Sequence, residues 1–332
     1  MLLSTQSRRL ACVALTVVAS AATQAGPRVA RAESDHVVLA YYYGMGAGDV
    51  RQQVQQAQAA GIDGFIVWWD GIGGGRDQQL MQVLEAARAT SFKATIHFHA
   101  WDANLYEEMR GFYDQRLGDP GLVTYQGRPV LFFWATWQFP NSYWSELRNR
   151  VDPDRRTIWL ADGDQFGTLS SDAWDGISPY AIAWSANPRG QLPAWAVKAR
   201  AVAPEKLWVP PVSPGCNDSA VRVATCVQDR ADGAYYRATW DGALASSPQW
   251  AIVVSTWDEW SEQTAIEPGD QYGDLYTSLT RAYADEWKGA STAMQPVAPE
   301  PEPAPPQPMN EDEPEARLPS PLGRGFHQGG EG

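Results

Sequence analysis

The chain has 332 residues, 44% hydrophobic and 20% charged, with a formal net charge of −13. This acidic balance argues against nucleic acid and anionic membrane as partners, because both reward clustered Lys and Arg. A neutral ligand is easier to accept, and the composition suits a globular protein once two atypical ends are set aside.

Residues 1–32 read as a cleavable secretory signal peptide, with Arg8 and Arg9, an apolar run from Leu10 to Ala22, and an Ala30-Arg31-Ala32 cleavage pattern. The expected location is therefore secreted, periplasmic or extracellular. The run falls short of the about 20 residues that a bilayer span needs, and no later segment approaches that length, so no membrane insertion is expected.

Apolar runs follow in chain order: "VVLAYYY" (37–43), "GFIVWW" (64–69), "KATIHFH" (93–99), "PVLFFW" (129–134), "TIWLA" (157–161), "GISPYAI" (176–182), "KLWVPPV" (206–212) and "WAIVVSTW" (250–257). Each is short, continuous and bounded by Gly, Pro, Asp or Asn, as strands buried on both faces are. Helical patterns over 49–60, 76–90, 105–117, 143–150, 192–202, 234–245 and 272–287 fall between or after them, the first with Asp49 as N-cap and Gly61 as stop. Strand alternating with helix means crossover connections and a parallel sheet. Eight such strands predict one α/β domain over 33–290, a (β/α)8 TIM barrel. Residues 291–332, rich in Pro, Glu and Gly and poor in aromatics, cannot bury enough apolar surface to offset their ordering entropy and are expected to be a disordered tail.

In such a barrel the site lies where the strands end. The ends here, among them "YYYGMGAGD", "WWDGIGGG", "HFHAWD" and "STWDEWSEQ", repeatedly carry aromatics and acids. All 16 Trp fall between residues 68 and 287, and indole faces stack on the C–H faces of sugar rings. A carbohydrate cleft is the reading, against the plainer one in which most of these indoles are core. Glu259 and Glu262 can converge only if the chain turns at once into a loop or helical turn, because residues three apart on a strand face opposite ways. Two carboxylates in one cleft can divide acid and base work, and glycoside hydrolysis needs only such a pair. The alternative is a solvated acidic loop.

His97 and His99 share one face of a strand and could ligate a metal, but sugar contact or packing is the preferred reading, and neither metal nor cofactor is expected. "GMGAGD" has Asp49 where a dinucleotide loop needs Gly, and "DGIGGGRD" lacks the Lys and Ser/Thr of a phosphate loop. With Cys12 lost in the leader, Cys216 and Cys226 remain, read as a disulfide closing a short loop rather than as two free thiols.

"STWDEWSEQTAIEP" followed by "YGDLY" resembles the strand-eight signature of glycoside hydrolase family 99, the endo-α-mannosidase type, which reads Ser-Phe-Asn-Glu-Trp-His-Glu-Gly-Thr-x-Ile-Glu-Pro. "YYYG", "AQAAGIDGFIVWWDG", "YQGRPVLFF", "WDGISPY", "VSPGCND" and "DGAYYRATWDGAL" match in register, so the resemblance spans about residues 38 to 285. It implies a retaining, endo-acting α-glycoside hydrolase on α-mannan or a related α-linked polysaccharide. Glu259 would be the base toward the substrate 2-hydroxyl, passing through a 1,2-anhydro sugar, and Glu262 the general acid/base. Substrate contacts are expected from Tyr41, Tyr43, Trp69, Asp70, His97, His99, Trp101, Tyr180, Asp258 and Trp260. The chain departs from the family where Asp258 replaces Asn, Ser261 replaces His, and His99 stands where Glu is expected in the third strand. "TWDEWSE" is also similar to a motif of family 71, the α-1,3-glucanase type. An α-1,3-glucanase-like hydrolase, a non-catalytic carbohydrate-binding barrel and a sugar transferase are the rival expectations, and a monomer is expected.

Overall fold

The computed structural model describes residues 36–46, 48–99 and 105–289. The expected leader and the Pro/Glu-rich tail lie outside them.

Among the described residues, eight strands form the barrel: β1 (Val37–Tyr42), β2 (Gly64–Trp69), β3 (Lys93–His99), β4 (Arg128–Trp134), β5 (Ile158–Ala161), β6 (Gly176–Ile177), β7 (207–212, ladder-bonded at Leu207–Trp208 and Pro211–Val212) and β8 (Ala251–Val254). All neighbouring pairs are parallel, and β8 pairs with β1 from Val37↔Ala251 onward. The cylinder closes through β7, whose first half pairs with β6 (Gly176↔Leu207) and whose second half pairs with β8 (Val254↔Val212). Pro210 and Pro211 supply no N–H, which accounts for the interruption between the halves.

Among the described residues, seven helices surround the strands: α1 (Val50–Ala59), α2 (Gly75–Ala87), α3 (Leu105–Gln115), α4 (Asn141–Val151), α5 (Pro188–Val202), α6 (Ala234–Ala245) and α7 (Leu275–Trp287). Between β5 and β6 a 3₁₀ turn, Phe166–Ser170, takes the helix's place. Asp49 caps α1 by accepting the Gln52 N–H, and Gly61 ends it at a φ of +82° that a side chain would resist. α5 starts a turn earlier than the pattern predicts, because Asn187 caps it and Pro188 sits in the first turn, where no N–H is required. The sixth strand, expected to run to residue 182, stops at Ile177, and Pro179 follows two residues later.

Strict alternation sorts the side chains of each strand. On β1, Leu39 and Tyr41 point into the barrel while Val38, Ala40 and Tyr42 meet the helices; on β4, Val130 and Phe132 point in while Leu131 and Phe133 point out. Burial of each such aliphatic or phenyl group contributes roughly 1.5–3 kcal/mol. At the N-terminal end of the barrel, Tyr125 packs on Trp250 with ring centroids 5.3 Å apart. The interior is therefore filled below, and the last inward position of each strand faces the open C-terminal end.

Candidate active site

Those last inward positions build one cleft of about 640 Å³. Tyr43 follows β1, Trp68 and His99 come from β2 and β3, Trp134 ends β4, Asp162 follows β5, and Ser213 and Ser255 follow β7 and β8. Each lies an even number of residues from an inward core residue of the same strand, such as Tyr41, Ile66, Phe132, Leu160 or Val253. The aromatic wall is a stack: Trp68 on His99 at 4.7 Å, and His99 on Trp134 at 4.9 Å, with the Arg76 guanidinium 4.1 Å above Trp68. Burial, reinforced by Arg76, pushes the His99 pKa down to about 3, so the ring is neutral in any working range. Trp137 and Trp184 stand on the rim, 48% and 52% exposed, with indole surface still open for contact.

The acids come from the segment after β8. Glu259 leaves the strand direction, residues Trp260–Glu262 form a 3₁₀ turn, and Gln263 has a φ of +53°. The chain then runs back beside itself, with the Thr256 N–H donating to the Thr264 carbonyl and the Ile266 N–H to the Thr256 carbonyl. This immediate turn puts Glu259 and Glu262 on the wall of the same cleft. Arg230 fixes the return by donating to the carbonyls of Gln263 and Ala265 at 2.7 and 2.8 Å.

Glu259 is 8% exposed. Its Oε2 accepts from the Tyr180 hydroxyl at 2.8 Å, and Tyr180 in turn accepts from the Tyr43 hydroxyl at 3.0 Å. Burial raises the Glu259 pKa, and the neighbouring Asp258 adds to that; the Tyr180 hydrogen bond and Arg222 pull the other way. The carboxyl therefore holds a proton more readily than an ordinary glutamate, while a donor fixes its orientation. Removing that donor in Tyr180→Phe destabilises the ionised form, so the acidic limb of the kcat/KM profile moves to higher pH. A fall of about tenfold in kcat/KM at neutral pH accompanies it, the scale of one hydrogen bond to a charged group. A pH–rate profile that overlays wild type would rule the contact out as functional. Glu262, 23% exposed on its side chain, forms an ion pair with Arg222.

Asp258 is turned away from the cleft. Its carboxylate, 0% exposed, accepts the backbone N–H groups of Tyr43, Met45 and Gly46 at 2.8, 2.7 and 3.1 Å, so it binds the loop after β1 to the end of β8. Burial raises its pKa and those N–H groups lower it. The expected sugar contact is therefore corrected to a loop anchor. Asp258→Ala leaves several N–H groups without an acceptor and is expected to cost on the order of 3 kcal/mol. Urea denaturation at unchanged m measures this, and a loss below about 0.5 kcal/mol would contradict the assignment.

Five other expected contacts are also corrected. Trp69, 0% exposed, shares its parity with Phe65 and Val67, packs against Phe112 of α3 and donates its Nε1–H to Asp77 at 3.2 Å. Its neighbour Trp68 occupies the cleft instead. Asp70 is exposed beyond the cleft wall. Tyr41 and His97 lie one layer below the wall as its floor, packed on Tyr180 at 4.8 and 5.7 Å. Trp260 turns away and donates to Glu267 at 3.0 Å. Trp101 lies outside the described residues.

Asp162 was not singled out by the motif, yet it ties two strand ends together. It accepts from the Ala135 N–H at 3.0 Å and the Tyr180 N–H at 2.7 Å, and burial pushes its pKa up to about 6. Cys216 and Cys226 form a disulfide, and the loop they close lines the cleft through Asp218, Arg222 and Thr225. Among the described residues, no cluster of His, Cys, Asp and Glu could hold a metal ion, and no helix is long and apolar enough to cross a membrane.

Residues 22–272 match the family model described as glycosyl hydrolase family 99. The fold is similar to that of the family 99 endo-α-mannosidase from Bacteroides thetaiotaomicron, with a TM-score of 0.68 at 19% identity, covering 79% of this chain and 100% of that one. It is more distantly similar to an endo-1,4-β-mannanase from Rhizomucor miehei, with a TM-score of 0.51 at 11% identity over 76% of this chain and 95% of that one. A search of curated protein sequences returns no match.

Proposed function

The chain belongs to glycosyl hydrolase family 99 and is a glycoside hydrolase on a (β/α)8 barrel, and on that premise we propose that it cleaves α-mannan internally, with retention. The observation that carries the reading is the convergence of Glu259 and Glu262 on one aromatic-walled cleft, the first held by a tyrosine hydrogen bond.

Glu259 takes the proton of the substrate 2-hydroxyl as O2 attacks the anomeric carbon. The C1–O bond to the departing sugar breaks, and Glu262 gives its proton to the leaving oxygen. In the second step the Glu262 carboxylate removes a proton from water, water attacks C1, the C1–O2 bond opens, and Glu259 returns its proton to O2. Two inversions give retention. Back-side attack requires O2 to lie trans to the leaving oxygen, as it does in an α-mannoside and does not in an α-glucoside. The stereochemistry of this route therefore favours mannose over glucose.

Internal cleavage is supported by binding surface beyond the two acids. Trp137 and Trp184 offer exposed indole faces on the rim, and a second hollow of about 410 Å³ shares Trp137, Asp162 and Gln165 with the cleft. Export is supported by Arg8, Arg9 and the apolar run after them, together with a disulfide, which persists in oxidising compartments.

Mass and NMR analysis of products from a panel of α-mannans and α-glucans tests the proposal. Short α-manno-oligosaccharides released early, with the α-anomer formed first, are expected. Release of single sugars from chain ends, or products from α-1,3-glucan alone, would replace it.

A further inference from the structure

We propose that Arg222 is a positioning residue for Glu262, delivered to the cleft by the disulfide-closed loop 216–226, holding that carboxyl oriented and stabilising its ionised form between the first and second steps. The inference rests on the reading of Glu262 as the acid/base.

The loop is built to aim one side chain. Cys216–Asn217 pairs antiparallel with Val227–Gln228, and the disulfide joins the two arms at a Cα separation of 5.8 Å. At its base Asp218, 2% exposed, accepts from the N–H groups of Thr225 and Cys226 at 2.9 and 3.1 Å and from the Thr225 hydroxyl. The Arg222 N–H donates to the Asp218 carbonyl at 3.2 Å, and Arg222 Nε lies 3.5 Å from the Asp218 carboxylate. Val221 and Val223 on either side point to solvent, 51% and 92% exposed; the Arg222 side chain, 45% exposed, lines the cleft and its Nη2 pairs with Glu262 Oε1. A cation held from two sides is not a free surface arginine.

Arg222 is also the only Lys or Arg among the described residues lining the cleft, where Asp162, Asp164, Asp218, Glu259 and Glu262 supply the opposite charge. That balance makes it a poor receptor for an anionic substrate group and a good counter-ion for the catalytic pair. Behind the wall stand Asp258, turned to backbone N–H groups, and Arg230, turned to carbonyls; Tyr43, His99 and Tyr180 face the cleft uncharged. Arg222 therefore carries the positive charge nearest Glu262. An adjacent cation favours the ionised carboxylate, which suits the water-activating second step and makes the proton donor of the first step a stronger acid.

Arg222→Gln, Arg222→Lys and the paired Cys216→Ser/Cys226→Ser variant are compared with wild type on an α-manno-oligosaccharide and on the corresponding glycosyl fluoride, whose leaving group needs little protonation. For Arg222→Gln the alkaline limb of the kcat/KM profile moves up by about one pH unit. On the oligosaccharide kcat falls about tenfold or more with KM within threefold, and on the fluoride the loss is smaller. The Lys variant restores the alkaline limb, and the paired Ser variant reproduces the shift. A superimposable profile for Arg222→Gln, or an equal loss on both substrates confined to KM, would overturn the proposal. Glu262→Gln in the same assays separates the two levels. If it stays active, the acid/base reading falls and this inference with it; if it is inactive while Arg222→Gln matches wild type, only the inference falls.

Discussion

Glu259→Gln is expected to lose about 10³-fold or more in kcat on an α-manno-oligosaccharide, with KM changed by no more than a few-fold. The amide is isosteric and can still accept from the Tyr180 hydroxyl, which now reaches Glu259 Oε2 at 2.8 Å, so the cleft keeps its shape. What disappears is the capacity to take a proton from the substrate, and general base catalysis is worth about 10²–10⁴-fold. Because the substrate oxygen is itself the nucleophile in the proposed route, no faster leaving group can restore the missing step. The glycosyl fluoride is therefore hydrolysed as poorly as the oligosaccharide. Activity within tenfold of wild type would remove Glu259 from the mechanism.

Glu262→Gln gives a loss of similar size on the oligosaccharide but a different pattern. Its proton is needed where the leaving group is a sugar alkoxide and hardly at all where it is fluoride, so the first step on the fluoride survives. The second step, activation of water, remains impaired. Added azide, which needs no base to attack C1, is expected to raise the rate on the fluoride and give a glycosyl azide, detected by mass. An azide response in Glu259→Gln but not in Glu262→Gln would reverse the two roles.

The fold was legible because the chain alternates short doubly buried strands with capped helices, and the ladder from Val37↔Ala251 closes where the pattern required. The acids were legible because "DEWSEQ" after a buried strand permits the 3₁₀ turn that brings them together. The aromatic wall was only half legible. Period-two alternation from Ile66 puts Trp68 inside and Trp69 outside, and the same count from Phe132 and Leu160 reaches Trp134 and Asp162. Parity would have found all of them, whereas reading each strand end as a patch of aromatics did not. Asp258 defeated motif reasoning for another cause. It adjoins Glu259, the proposed base, but its partners, the N–H groups of Tyr43, Met45 and Gly46, come from the far end of the chain. Arg222 was hidden for the same reason, since nothing local marks a guanidinium in an exposed-looking loop as the partner of an acid in a distant segment.

The account turns on one spatial claim, which a crystal structure of the Glu259→Gln protein soaked with an α-manno-oligosaccharide tests directly. Two sugar rings should straddle positions 259 and 262, with the 2-hydroxyl of one within hydrogen-bond reach of the substituted side-chain amide and the glycosidic oxygen within reach of Glu262. A saccharide seated elsewhere on the barrel, or one whose glycosidic oxygen lies out of reach of Glu262, would contradict it.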